Sequence, residues 1–492
     1  MSSAHRVLPL APFASLDAYR EAGGGRGLTA AGAVESEVLI DELDASGLRG
    51  RGGAGFPTGT KWRTVFSYAS AVLRTSVVVN AAEGEPGTFK DRSIIRNNPY
   101  AVLEGALIAA RVVGAGGVTI ATKARFTEEV ARLRGAIDEI RAAGWTGDVG
   151  FDIVEGPGEY LYGEETALLE VLDGRPPFPR IAPPWRRGVV EVVAGDDDVD
   201  SGSGLPADVQ MATADDGDNL APPVLVNNVE TFANVANIIA NGAAWFRSVG
   251  TTESPGTILC TVTGAVSRPG VFEVAMGTPL RDLLALATSD AENDGGARSL
   301  SAVLMGVSNA ILTSAQLDTP ISYEAFAAQG GGLGSASFIV VDDSTDPVAV
   351  AAGASRFLAV ESCGQCTPCK QDGLEISSLL QKLASGQADQ SHLRRIDERL
   401  LRITDGARCS LASQHQVVIG SIRTRFAAQF EARVQPGRDP VEPVLIAEVT
   451  AIDGQTTSVD PTFVDKQPDW TYGPHDSGLA PVERLTDHRA QD

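Results

Sequence analysis

Residues 76–121, SVVVNAAEGEPGTFKDRSIIRNNPYAVLEGALIAARVVGAGGVTIA, decide the fold. An apolar run, SVVVN (76–80), leaves into a stretch rich in Gly, Pro and Asn. PYAVLEGALIAARVV (99–113) then carries helical periodicity, and after two glycines a second apolar run, GVTIA (117–121), begins. The pattern reads strand, helix, strand. FTEEVARLRGAIDEIRAAG (126–144) and FDIVEG (151–156) repeat it. This rhythm predicts an α/β layer fold with a largely parallel sheet over residues 41–247.

Working outward, residues 1–40 carry a glycine-rich patch, AGGGRG, and predict a partly flexible N-terminal arm. Within the α/β region the rhythm breaks at 188–222. From 191 to 218 the chain holds nine acids and no Lys or Arg, which predicts a solvated insertion. Residues 250–345 begin with short alternating runs around a Pro-Gly turn and enter a helix, consistent with a small α+β domain. Helical periodicity fills 346–430, and 431–492 reads as an irregular tail able to wrap over a neighbour. With 43% hydrophobic residues the chain can bury several cores, and no run reaches the length of a membrane span. The N-terminus lacks a secretory signal, so a cytoplasmic, non-inserted protein is expected. A formal net charge of −23 argues against a nucleic-acid or anionic-membrane binder.

Three of the five cysteines lie in ESCGQCTPCKQDG (361–373), and Cys363, Cys366 and Cys369 recur at every third position. Such spacing converges on one point only if the backbone curls around a metal centre. Cys409 is the candidate fourth ligand, on the far side of a segment long enough for a helical hairpin to return the chain. Cysteine-only ligation with a tight triplet favours a [4Fe–4S] cluster over zinc, whose structural sites use paired spacing. Inert buried thiols are the third reading. Cys260, in the strand-like TILCTV, reads as a small buried hydrophobe, and His415 as an exposed or capping residue.

GLRGRGGAGFPTGTKW (47–62) is a glycine-rich loop carrying Arg49, Arg51 and Lys61, suited to bringing backbone amides against a flat or phosphorylated ligand. It matches neither the dinucleotide fingerprint nor a Walker A loop. Downstream, Asn80, Glu83 and Glu85 follow a strand, and Gly163, Glu164 and Glu165 open a helix. Polar clusters at the ends of α/β elements point to a ligand site at the strand carboxyl ends.

Taken together, GRGGAGFPTG and ESCGQCTPC make the chain resemble the NADH-binding flavoprotein subunit of respiratory complex I, and the related diaphorases of NAD-reducing hydrogenases and NAD-dependent formate dehydrogenases. The resemblance spans residues 40–425. It implies a Rossmann-like FMN and NADH domain, a ubiquitin-like domain and an all-α bundle with a [4Fe–4S] cluster held by Cys363, Cys366, Cys369 and Cys409. For FMN it implies Gly50, Arg51, Gly52, Gly53, Lys61, Asn80, Glu83, Tyr160, Gly163, Glu164, Asn227, Asn228 and Thr231. For NADH it implies Glu85 and Glu165 near the nicotinamide, and Phe56 and Trp185 as aromatic faces. The implied partners are a separate thioredoxin-like [2Fe–2S] subunit and a further iron–sulfur or catalytic subunit.

Three features depart from the family pattern. Ala82 stands where the family has an acid, Ala182 where it has a lysine, and the acidic insertion replaces a shorter linker. Two functions are therefore expected to compete. One is an NADH dehydrogenase subunit passing electrons between NAD(H), FMN and the cluster. The other is a relay subunit that has lost efficient NADH turnover.

Overall fold

The computed structural model describes residues 5–69, 74–181, 222–288 and 300–485. Its first sheet comprises β1 (Ser76–Ala81), β2 (Gly117–Lys123), β3 (Gly150–Gly156) and β4 (Val224–Asn228). The order is β3-β2-β1-β4 and every neighbouring pair is parallel. Val77 and Val79 face a core built with the helices Pro99–Val113 and Val229–Asn241, while Val78 faces the opposite core beside Leu168 and Leu169 of the helix Glu165–Leu172. Both faces are covered, which is why the strands read as unbroken apolar runs. The chain order reverses between β1 and β4, so their carboxyl ends open a crevice at the switch point of a Rossmann-like sheet. Trp185, Ala182 and the acidic insertion lie outside the described residues.

The N-terminal arm differs from expectation. Leu16–Glu21 and Arg26–Gly32 are helical and seated on the sheet domain. The cause is Glu104, buried on the helix Pro99–Val113. Its carboxylate accepts from the Tyr19 hydroxyl at 2.7 Å and from the Gly25 and Leu28 amides at 2.8 and 2.9 Å. A buried carboxylate needs such donors, and the arm supplies them.

A second sheet holds β5 (Thr257–Gly264), β6 (Gly270–Ala275), β7 (Leu300–Leu304), β8 (Leu312–Thr313) and β9 (Ser337–Asp342) in the order β6-β5-β9-β7-β8. The central pair β5–β9 is parallel and the other pairs are antiparallel. With the helix Leu280–Leu286 following the first hairpin, this is a ubiquitin-like arrangement. Cys260 is buried in its core, as its strand context predicts.

The helices Pro347–Glu361, Thr367–Ala384, Gln390–Arg402 and Leu411–Arg425 build the C-terminal bundle. The middle pair forms the hairpin that returns the chain to Cys409. His415 corrects the sequence reading: it is fully buried, with Nε2 2.8 Å from the Ser355 hydroxyl, and burial lowers its pKa to about 3. Its helix packs on more than one neighbour, so a position that looks peripheral points inward.

The tail straps across its own chain. Val444 N–H binds Ala349 O at 3.0 Å, and Glu448 sits 2.6 Å from both Lys123 and Arg125 at the β2 end. Lys466 pairs with Glu361 at 2.7 Å, and Val482 N–H reaches Cys363 O at 3.0 Å. Among the described residues no helix is long and apolar enough to cross a membrane.

Candidate functional site

Asn80 and Asn228 stand opposite each other in the β1–β4 register, at the mouth of the crevice. Asn80 donates to Gly163 O at 2.9 Å, tying the end of β1 to the short 3-10 turn Tyr160–Gly163. Asn228 caps the helix Val229–Asn241, accepting from Glu230 N–H at 3.0 Å, and Asn227 accepts from the Trp62 indole at 2.8 Å. Both amides are thereby fixed in orientation.

The glycine loop lies against this mouth. Arg51 N–H donates to the Thr231 hydroxyl at 2.9 Å, and Gly50 N–H to Phe56 O at 2.8 Å. A Cβ on Gly52 would stand 3.2 Å from that of Asn228, so loop and strand approach closely there and a larger residue would press on Asn228. The Arg51 side chain, however, turns away from the mouth. Its guanidinium donates to the Tyr323 hydroxyl and to Thr257 O, both at 3.0 Å, in the ubiquitin-like unit. The same Tyr323 hydroxyl donates to Gly50 O at 3.0 Å, and the Arg49 guanidinium lies 4.3 Å over its ring. Phe56 is exposed at the rim.

Lys61 and Glu165 meet across the crevice, with Nζ 2.7 and 2.8 Å from the two carboxylate oxygens. Glu164 caps its helix through the amides of Thr166 and Ala167 at 2.9 and 2.8 Å, and burial raises its pKa. Glu85 accepts from the Tyr160 hydroxyl at 2.5 Å and from Val307 N–H at 2.7 Å, and burial raises its pKa too. Glu83 is placed differently. Burial alone would raise its pKa, yet Arg92 and Lys90 hold it below the usual range, and its carboxylate is occupied by Arg92 at 2.9 Å and Asp91 N–H at 3.0 Å. It braces the turn after β1 and does not line the mouth. The glycine cradle, the fixed amides and a lysine across from them fit a flavin mononucleotide. Gly50, Gly52, Gly53, Lys61, Asn80, Gly163, Asn227, Asn228 and Thr231 come together, whereas Arg51 offers only its backbone.

A second site lies in the bundle. Cys363, Cys366, Cys369 and Cys409 line one pocket, together with Leu161, Pro179 and Gln365. Cys366 caps the helix Thr367–Ala384 and Cys369 sits in its first turn, where the helix dipole favours anionic sulfur. Burial pushes the Cys363, Cys369 and Cys409 thiols up, Cys369 to about 11. Among the described residues no three His, Cys, Asp or Glu side chains converge on a single ion. Four thiols around one pocket suit an iron–sulfur cube, which takes one thiolate at each iron.

Short-range sequence patterns missed Tyr323. It sits in an ordinary helix start, SYEAF, and its contacts with the glycine loop are made some 270 residues away in sequence.

Comparison with known proteins agrees with this geometry. Residues 43–237 match the family described as the Nuo51 FMN-binding domain, 259–288 the SLBB domain, and 349–433 the NADH-ubiquinone oxidoreductase-F iron-sulfur binding region. The second F-type subunit of the NADH-quinone oxidoreductase of Rhizobium meliloti is 34% identical over 439 residues, covering 86% of this chain and 96% of that protein. The F-type subunit of the Streptomyces coelicolor NADH-quinone oxidoreductase is 33% identical, covering 87% and 90%. A chain of the NAD+-reducing [NiFe]-hydrogenase in its H2-reduced state superposes with a TM-score of 0.72 at 30% identity, covering 89% of this chain and 69% of that one. With these relatives matched over most of both chains, the chain belongs to the family of F-type NADH-quinone oxidoreductase subunits.

Proposed function

We propose that this chain is the flavoprotein subunit through which NADH and a multi-subunit redox complex exchange electrons, with FMN at the β1–β4 mouth and a [4Fe–4S] cluster at Cys363, Cys366, Cys369 and Cys409. One observation carries the reading: a single short segment touches both sites. Gly163 accepts from Asn80 at the flavin mouth, Leu161 lines the cysteine pocket, and the Tyr160 hydroxyl joins Glu85 to Gln414 of the bundle, at 2.5 and 3.3 Å. Bound FMN supplies the conversion between a two-electron hydride donor and the one-electron cluster. The residues of the chain set the geometry. Asn80, Asn227 and Asn228 fix the mouth, and Lys61 places a cation opposite the glycine loop. Glu165 and Glu85 present carboxylates on the nicotinamide side, and Phe56 offers an apolar face at the rim, with Trp185 assigned the same role. The division into a flavin unit (41–247), a ubiquitin-like unit (250–345) and a cluster bundle (346–430) follows the same reading. The partners this reading assigns are a separate thioredoxin-like [2Fe–2S] subunit and a further iron–sulfur or catalytic subunit.

The test is anaerobic and needs no partner. NADH should bleach the flavin absorbance of the FMN-loaded, cluster-intact chain and support ferricyanide reduction. A preparation whose flavin keeps its colour under excess NADH would leave only the relay subunit.

A further inference from the structure

We propose that Tyr323 is a positioning residue for the flavin site, so that the ubiquitin-like unit serves as the clamp that holds the glycine loop in its binding shape. The proposal rests on the assignment of FMN to that loop. A loop rich in glycine has an unusually large backbone entropy to lose, and a loop that must present a fixed surface needs an external brace. Tyr323 supplies one through both its hydroxyl and its ring.

The hydroxyl is a bridge within one strand of the loop. It donates to Gly50 O at 3.0 Å and accepts from the Arg51 guanidinium at 3.0 Å, so neighbouring residues are held by one oxygen. Arg51 is locked in turn by Thr257 O at 3.0 Å on β5 and by Glu230, 4.0 Å from its Nε. The ring holds the other side of the turn. Gly55 has φ +63°, and a Cβ there would stand 2.5 Å from the Tyr323 ring, so the loop backbone lies directly on the aromatic face. Arg49 stacks on that ring at 4.3 Å and donates to Gly55 O at 2.7 Å, closing the loop over it. The brace is itself anchored, because Tyr323 N–H donates to the Ser254 hydroxyl at 3.1 Å. Gly52, the residue that approaches Asn228, lies between the two held ends. Displacing Tyr323 would therefore shift the cradle without removing any group that lines the mouth.

Tyr323→Phe separates this role from a merely structural one, since it keeps the ring under Gly55 and Arg49 and deletes only the bridging oxygen. FMN titration of the deflavinated full-length chain, followed by flavin fluorescence, should show a dissociation constant raised roughly tenfold, the value of one buried hydrogen bond to a charged group. Iron content of the FMN-free chain should stay at the wild-type level, and its melting temperature should fall by no more than the loss of this one bridge accounts for. In a double-mutant cycle with Arg51→Met, the two losses should be less than additive, because both variants break one bridge. Unchanged FMN affinity in Tyr323→Phe, or a lowered melting temperature with unchanged affinity, overturns the clamp. If the variant does not fold, hydrogen exchange of the wild type decides: FMN saturation should slow exchange in 254–257 and 322–326, and no slowing there overturns the proposal. A wild-type chain that takes up no FMN at all refutes the flavin assignment itself, whereas a wild-type chain that binds FMN normally beside an indifferent Tyr323→Phe refutes the clamp alone.

Discussion

Replacing Lys61 by alanine should weaken FMN retention by an amount the ion pair with Glu165 sets. A charge-assisted contact between a lysine and an anionic ligand contributes about 1.5–3 kcal/mol. Without ligand, however, Lys61 is already paired with Glu165 at 2.7 Å, and both side chains are partly exposed, at 18% and 27%. A pair that open to solvent is worth up to about 1 kcal/mol, and ligand binding must loosen it. The net loss in Lys61→Ala is then about 0.5–2 kcal/mol, or roughly two- to thirtyfold in dissociation constant. Glu165→Gln removes the competitor and should leave FMN affinity equal to wild type or tighter. Flavin fluorescence titration at two ionic strengths measures both, and the Lys61 effect should shrink at high salt because the pair is accessible to counterions. Equal affinity of Lys61→Ala and wild type at low salt would show that this lysine does not serve the flavin.

Cys409→Ser should lose or degrade the cluster while FMN is retained, because Cys409 lies in the bundle and not at the strand mouth; iron analysis and flavin release report the two separately, and zinc in stoichiometric amount without iron would refute the ligand set. His415 should make stability fall on acidification: its folded pKa is lowered to about 3, so the stability its neutral form contributes is complete above about 6.5 and is lost below it at about 1.4 kcal/mol per pH unit. Denaturant melts of wild type and His415→Phe between pH 7 and 5 should differ by that slope, and parallel curves would show that His415 does not titrate on unfolding.

Much of this architecture is legible in local pattern. The strands of the first sheet announce themselves as apolar runs because both faces are covered, as Val77, Val78 and Val79 show. The cysteine triplet and its distant fourth member are legible because ligand chemistry constrains spacing directly. What local pattern cannot carry is contact at long range. Tyr19, Gly25 and Leu28 converge on Glu104, and with the burial of Val7, Leu16 and Ala31 that convergence turns a glycine-rich arm into an ordered element. Arg51 looks like a cofactor ligand from its loop, yet its side chain is claimed by Tyr323 and Thr257. Glu83 likewise looks like part of the site from its place after β1, but Arg92, nine residues on, takes its charge. His415 misleads for a related reason: helical position fixes direction only once the neighbouring helices are known.

The C-terminal strap sets the order in which the molecule can be completed. It is synthesised after every element it binds, so the sheet and the bundle emerge first and wait for it. During that interval Lys123 lacks Glu448, and the cysteine loop lacks the amide of Val482 on Cys363 and the contact of the Lys370 ammonium with Pro468 O at 2.6 Å. A chain cut at 433, where the matched iron-sulfur binding region ends, would stay in that unfinished state. Its Lys123 would lose Glu448, and the surface that Glu448, Phe463 and Lys466 cover around it would be open to water. A piece of this protein that keeps these contacts therefore extends past the matched iron-sulfur region and through the strap.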